Sequence, residues 1–174
     1  MNVPSPLFNL HQAARDGKLN SVKWGELPES ILNGVDAGGR NFISWAAERG
    51  FLHQIPKELI TTERLSVKTT KQRTAVHEAA WFGHLNQIPQ HLLTRALLTV
   101  PEISGETPLS EAWTRNTIKQ LAVFSEASIL QMSKDERLAW GKELHAINVP
   151  ENDPILGLLE RDWATIKLGD WHTL

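Results

Sequence analysis

The sequence predicts an all-α fold of about four 33-residue helix-turn-helix units, stacked in a row and closed by a C-terminal helical segment. Two observations predict it. The pairs Ala13-Ala14, Ala46-Ala47, Ala79-Ala80 and Ala112-Trp113 recur at one fixed spacing, a 33-residue period. In the same register stand Gly17, Gly50, Gly83 and Asn116, then Leu19, Leu52, Leu85 and Ile118, then Val22, Ile55, Ile88 and Leu121. A gapless period of this length marks a repeat protein whose units each contact only their neighbours.

The units run over about residues 6–38, 39–71, 72–104 and 105–123, making residues 1–123 the repeat stack and 124–174 a helical cap. Each first helix has start and stop signals. Thr74 and Thr107 suit the N-cap, and Pro108 suits the first helical turn, where a missing N–H costs nothing. The small Ala pairs allow neighbouring first helices to approach closely. Each Gly permits the left-handed backbone that ends a helix, and Leu19, Leu52 and Leu85 begin the buried face of the second helix.

The third copy reads Thr74-Ala75-Val76-His77-Glu78-Ala79-Ala80-Trp81-Phe82-Gly83-His84-Leu85, and the fourth contains Gly105-Glu106-Thr107-Pro108-Leu109-Ser110. The second reads Gly39-Arg40-Asn41-Phe42-Ile43-Ser44-Trp45-Ala46-Ala47 and the first Phe8-Asn9-Leu10-His11-Gln12-Ala13-Ala14. This pattern resembles the ankyrin repeat, whose hallmark is T-P-L-H-x-A-A followed by G-H. The resemblance implies an ankyrin-repeat solenoid with a C-terminal helical cap. It also implies a structural role for His77, which fills a slot that commonly bonds backbone between repeats, with His11 in the same slot and His84 in the G-H position.

The second helices depart from the common form. Gln54-Ile55-Pro56-Lys57-Glu58-Leu59-Ile60-Thr61 matches Gln87-Ile88-Pro89-Gln90-His91-Leu92-Leu93-Thr94. Proline inside a helix loses a hydrogen bond, so Pro56 and Pro89 are expected at an early helical position of a short helix, with Thr61 and Thr94 starting another turn. This I-P-x-x-L-[IL]-T variant resembles one seen mainly in bacterial ankyrin proteins.

In the C-terminal segment the apolar set is Leu121, Phe124, Ile129, Leu130, Leu138, Trp140 and Leu144. Ser133-Lys134-Asp135-Glu136 is a capping-box pattern that starts a helix to about Ile147. Asp153 and Pro154 read as N-cap and first residue of a last helix carrying Ile155, Leu156, Leu158, Leu159, Trp163 and Ile166. Stacked units expose an apolar end, so the segment is expected to cover the fourth unit.

The net charge of −2 does not advertise a nucleic-acid or membrane partner. Residues 38–95 hold eight Lys and Arg against four Asp and Glu, while residues 117–174 hold six against nine. The absence of cysteine excludes disulfides and thiol chemistry. With no basic leader and no apolar run of membrane-spanning length, a cytoplasmic protein is expected. His77-Glu78 opens like a zinc-protease motif, but Trp81 stands where H-E-x-x-H needs its second histidine. No phosphate loop or nucleophile elbow is present. The expectation is a non-enzyme without cofactor or metal.

The ankyrin resemblance places the partner on a concave face made of the inter-repeat tips and the exposed ends of the first helices. The tips supply Arg40, Lys71, Arg73 and Glu106; the helix ends supply Arg15-Asp16, Glu48-Arg49, Trp81-Phe82 and Thr114-Arg115. Trp81 and Phe82 put two large aromatics where charge is usual, a natural anchor for a partner protein. Arg40, Arg49, Lys71, Arg73 and Arg115 are expected to surround them with positive charge suited to an acidic, partly apolar protein surface. Trp45 and Trp113 are expected in the core. An inhibitor, immunity or effector protein fits this reading. Two other readings stand beside it: self-association through Trp163 and Trp171, and an enzyme site around Glu143, His145 and Asp153.

Overall fold

The computed structural model describes residues 6–161, and among them every regular element is helical. In chain order these are α1 (Pro6–Asp16), α2 (Glu29–Leu32), α3 (Phe42–Arg49), α4 (Thr62–Leu65) and α5 (Ala75–Phe82). Then come α6 (Arg95–Leu98), α7 (Pro108–Thr114), α8 (Glu126–Gln131), α9 (Lys134–Ala146) and α10 (Pro154–Glu160). The chain divides into two compact units, the first ending at Leu121 and the second beginning at Ala122.

In the first compact unit, α1, α3, α5 and α7 pack side by side in chain order. Their starts are capped as the residues dictate. The side chain of Asn41 accepts from the Ser44 N–H at 2.8 Å. At α7, Thr107 and Ser110 exchange reciprocal cap bonds of 3.1 and 2.9 Å, and Pro108 takes the first helical position. The Ala pairs sit where the helices meet: Ala46, Ala47, Ala79 and Ala80 are fully buried. Gly50 stops α3 in the left-handed region at φ 77°. Any side chain there would also press on the His84 ring, 2.8 Å from the position of its Cβ. Asn116, at φ 57°, supplies the same stop after α7; asparagine tolerates this backbone better than most residues.

The second half of each unit is not the continuous short helix expected from the sequence. After α3 the chain makes a 3₁₀ turn (Leu52–Gln54), a second one (Lys57–Leu59), and the one-turn α4. The same order follows α5, with Leu85–Gln87, Gln90–Leu92 and α6. The cause is proline. Pro56 and Pro89 stand outside the turns they precede, with ψ of 131° and 120°, and Ile55 and Ile88 before them are held extended at ψ 135° and 134°. Ile55, Ile60 and Leu65, with their counterparts Ile88, Leu93 and Leu98, still reach the core. Thr61 and Thr94 do start a further turn, accepting from the N–H groups of Arg64 and Leu97.

Neighbouring units are also stapled by side chains at one register position. Gln54, Gln87 and Gln120 accept from the backbone N–H of Leu19, His53 and Asn86, at 3.0, 3.4 and 3.3 Å. His84 Nδ1 donates to the Ala47 carbonyl at 2.8 Å, and one period further on the Thr117 hydroxyl donates to the Ala80 carbonyl at 3.1 Å.

The second compact unit contains α8, α9 and α10, with α10 packed on both others. Ser133 and Glu136 form the expected capping box, and Asp153 Oδ1 accepts from the Ile155 N–H at 2.8 Å to start α10. Phe124 packs edge-on to Trp140 at 5.0 Å between ring centres, beside buried Ile129, Leu144, Leu156 and Leu159. Leu130, expected in this apolar set, is exposed. Trp163, Ile166 and Trp171 lie outside the described residues.

Candidate functional site

The site is built from tips that repeat one hydrogen-bonded turn. The N–H groups of Asp36, Thr69 and Glu102 donate to the carbonyls of Arg40, Arg73 and Glu106 at 2.9, 2.8 and 2.9 Å. The third position after each donor is left-handed: Gly39 at φ 78°, Gln72 at φ 62° and Gly105 at φ 92°. Adjacent tips are joined by backbone, Thr70 N–H to the Gly38 carbonyl at 2.9 Å and Ile103 N–H to the Lys71 carbonyl at 3.3 Å.

Behind the tips lies a charged ladder. Arg40 bonds Glu48 and donates from Nη2 to Glu78 Oε1 at 3.3 Å. Arg73 Nε donates to the same oxygen at 3.1 Å, and its Nη1 and Nη2 reach both carboxylate oxygens of Glu111 at 2.5 and 3.3 Å. Glu78 and Glu111 are each only 3% exposed. Burial raises the pKa of Glu111, and the hydrogen bond and charge of Arg73 oppose the rise. Burial also acts to lower the pKa of Arg73, but Glu111 and Glu78 overcome it and hold the guanidinium above its ordinary value.

A cleft of about 410 Å³ opens over this ladder. It brings together five of the residues expected from the sequence: Arg40, Lys71, Arg73, Trp81 and Phe82. Glu48 and Glu78 line it too, with the tip residues Gly38, Thr69 and Thr70. Trp81 and Phe82 are 41% and 47% exposed. Arg49 and Arg115 are not among the lining residues. Arg49 is exposed and pairs with Glu48 at 3.4 Å, while Arg115 lays its guanidinium over Trp81, 3.3 Å from the ring centre.

The expected collar of positive charge is therefore corrected. Arg40, Arg49 and Arg73 are matched by Glu48, Glu78 and Glu111, a carboxylate set that sequence reasoning had not gathered. A signal was present: Arg40 and Arg73 stand one repeat period apart, as do Glu78 and Glu111. Lys71 is exposed and pairs with no carboxylate among the described residues.

Two tryptophans also differ from expectation. Trp45 and Trp113 are half-buried rather than core. Trp45 takes the register position of Glu78 and Glu111, and lies between the guanidinium groups of Arg15 and Arg40, at 4.4 and 4.3 Å from its ring centre. Its Nε1–H donates to Asp36 Oδ2 at 3.0 Å, so the indole bonds the tip that leads into its own helix.

His77 belongs to the scaffold. It is fully buried, and its Nδ1 accepts the Thr74 N–H at 3.1 Å, capping α5 within its own unit. That bond puts the ring proton on Nε2, which is buried and closes no hydrogen bond among the described residues. Burial, aided by the charge of Arg73, lowers its pKa to about 4. The bond that reaches back to the preceding unit comes from His84, in the G-H position.

In the second compact unit Asp153 is spent on its helix cap, and His145 Nε2 lies 2.7 Å from Glu160 Oε1. Among the described residues no helix is long and apolar enough to cross a membrane. Comparison with known proteins finds no family model that matches this chain, and no match among curated proteins.

Proposed function

We propose that this chain is a non-enzymatic ankyrin-repeat module that binds another protein through the cleft walled by Trp81 and Phe82. The ankyrin part of the reading is supported by the 33-residue register of caps, Ala pairs, left-handed stops and tips. The binding part rests on one observation. At the paired positions ending the first helices, the other units carry Arg15-Asp16, Glu48-Arg49 and Thr114-Arg115, whereas the third unit carries two exposed aromatics beside a cleft. Aromatic side chains dominate binding energy at interfaces because they bury large area with few torsions to freeze. The hydrogen-bonded tips and the charged ladder keep this wall in one geometry, which lowers the ordering cost of association. An inhibitor, immunity or effector role fits this reading.

The test is site-directed cross-linking in the protein's native cells. A photoreactive benzoylphenylalanine at position 82 is compared with the same group at exposed Lys119. The reading expects a protein adduct from position 82, absent from position 119 and lost on Trp81→Ala. Identical adducts from both positions, or an adduct indifferent to Trp81→Ala, would overturn it.

A further inference from the structure

The arginines at the tips and first-helix ends fall into two groups. Arg40, Arg49 and Arg73 hold carboxylates. Arg15 and Arg115 hold none among the described residues, and each is laid over an indole, Trp45 at 4.4 Å and Trp81 at 3.3 Å. A guanidinium stacked on a ring keeps its N–H donors in its own plane, available at the edge of the stack. Stacking also holds a side chain that would otherwise lose rotamer freedom on binding.

The two stacks are not equivalent. Arg15 has Asp16 beside it, while Arg115 is flanked by Thr114 and Asn116. Trp81, under Arg115, lines the same cleft as exposed Phe82, so a stacked charge and an apolar surface share this face.

We propose that Arg115, held on Trp81, is the carboxylate-recognising group of this face, and that the partner segment carries an Asp or Glu beside an apolar side chain that covers Phe82. The proposal rests on the protein-binding reading above and assigns the chemistry of the partner. Charge complementarity supports it. The carboxylates lining the cleft are turned into Arg40, Arg49 and Arg73, which leaves Arg15, Arg115 and Lys71 as the exposed cations of the tips and first-helix ends that hold no acid among the described residues, and of these Arg115 is the one stacked on a wall of the cleft. A nucleic acid is a poorer match. Its continuous row of phosphates would meet Glu102 and Glu106 on the next tip and Asp16 beside Arg15, which one carboxylate on a folded protein avoids.

A displayed library of random twelve-residue peptides, selected on the full chain, provides the test. Peptides recovered are measured against Arg115→Gln, Arg115→Lys and the Trp81→Ala/Phe82→Ala double variant, each checked for wild-type thermal unfolding. The expected peptides carry Asp or Glu next to an apolar residue. Their affinity falls about tenfold or more on Arg115→Gln, as for loss of a charged hydrogen bond, and by less on Arg115→Lys, which keeps charge without the planar donors. Replacing the peptide's acid by its amide weakens binding to wild type but costs little further on Arg115→Gln, the signature of a direct pair. Peptides that require Trp81 and Phe82 yet bind Arg115→Gln unchanged overturn this proposal and leave the protein-binding reading intact. Recovery of no peptide dependent on Trp81 and Phe82 overturns both. A twenty-residue oligothymidylate that binds more tightly than any peptide overturns the choice of a protein carboxylate.

Discussion

Arg73 donates from Nη1 to Oε1 of Glu111 at 2.5 Å across 38 residues of sequence, and Arg40 reaches Glu78 over the same separation. The offset is one repeat period plus the five residues from a tip arginine to the carboxylate position of its own first helix, as from Arg73 to Glu78. A tip arginine therefore grips the carboxylate of the following unit, and Glu78, shared by Arg40 and Arg73, joins two such grips into a ladder. Arg40, Arg73 and Glu78 of this ladder also line the cleft, so its ion pairs shape the site as well as link the units.

Removing one member leaves the others charged and poorly solvated. Arg73→Met is expected to destabilise the protein by about 3 kcal/mol, the low end for a broken buried pair because the site borders solvent. Urea unfolding measures this, and restoring neutrality with Arg73→Met/Glu111→Gln should recover part of the loss.

Gln72 occupies a left-handed position that glycine holds in the two neighbouring tips. Gln72→Gly is expected to raise stability by about 0.5–1 kcal/mol, relief of left-handed strain less the added freedom of the unfolded chain. Gly50→Ala should do the opposite, by about 2 kcal/mol or more, since it adds both strain and a clash with His84. Thermal midpoints of the two variants should move in opposite directions.

His77 gives a pH dependence whose sign follows from its cap bond. Its folded pKa of about 4 lies below the ordinary 6.5, so the unfolded chain binds more protons between those values. Stability is then full above about pH 6.5 and falls by about 3 kcal/mol on acidification to pH 4. His11, lowered mainly by burial, acts in the same direction. Glu111 opposes it within its own range, because its raised pKa makes the folded state bind more protons just above 4.5. Urea midpoints at pH 7.0 and 4.5 should differ less in His77→Gln than in wild type, since glutamine can still accept the Thr74 N–H without titrating. An equal difference in both would assign the effect elsewhere.

The Gln54, Gln87 and Gln120 series makes a separate claim about how units are held. Gln87→Ala leaves the His53 N–H to solvent and should cost about 1 kcal/mol, while Gln87→Glu keeps an acceptor and should cost less. Hydrogen exchange at the His53 amide, faster in Gln87→Ala and near wild type in Gln87→Glu, checks the assignment.

Much of this was legible because it is local or periodic. Thr107, Ser133 and Asp153 are caps by residue type, and Gly50 and Gly83 stop helices because left-handed backbone favours glycine. The exposure of Trp81 and Phe82 followed from their place after an Ala pair in a fixed register. What was not legible depends on side chains that only the folded chain brings together. Arg40 and Arg73 read as free cations until the carboxylates of the next unit were placed beside them. Trp45 read as core because a helix pattern cannot show two guanidinium groups converging on one ring. The broken second helices lay between: Pro56 and Pro89 signalled an interruption, yet 3₁₀ turns and a short helix were equally consistent with the residues.

The central claim is that the Trp81-Phe82 wall binds a partner protein. Its most direct test is a titration of the full chain with the protein cross-linked at position 82, comparing wild type with Trp81→Ala/Phe82→Ala after both are shown to unfold at the same temperature. Loss of two well-packed aromatic anchors predicts an affinity at least about a hundredfold weaker. An unchanged affinity would contradict the account.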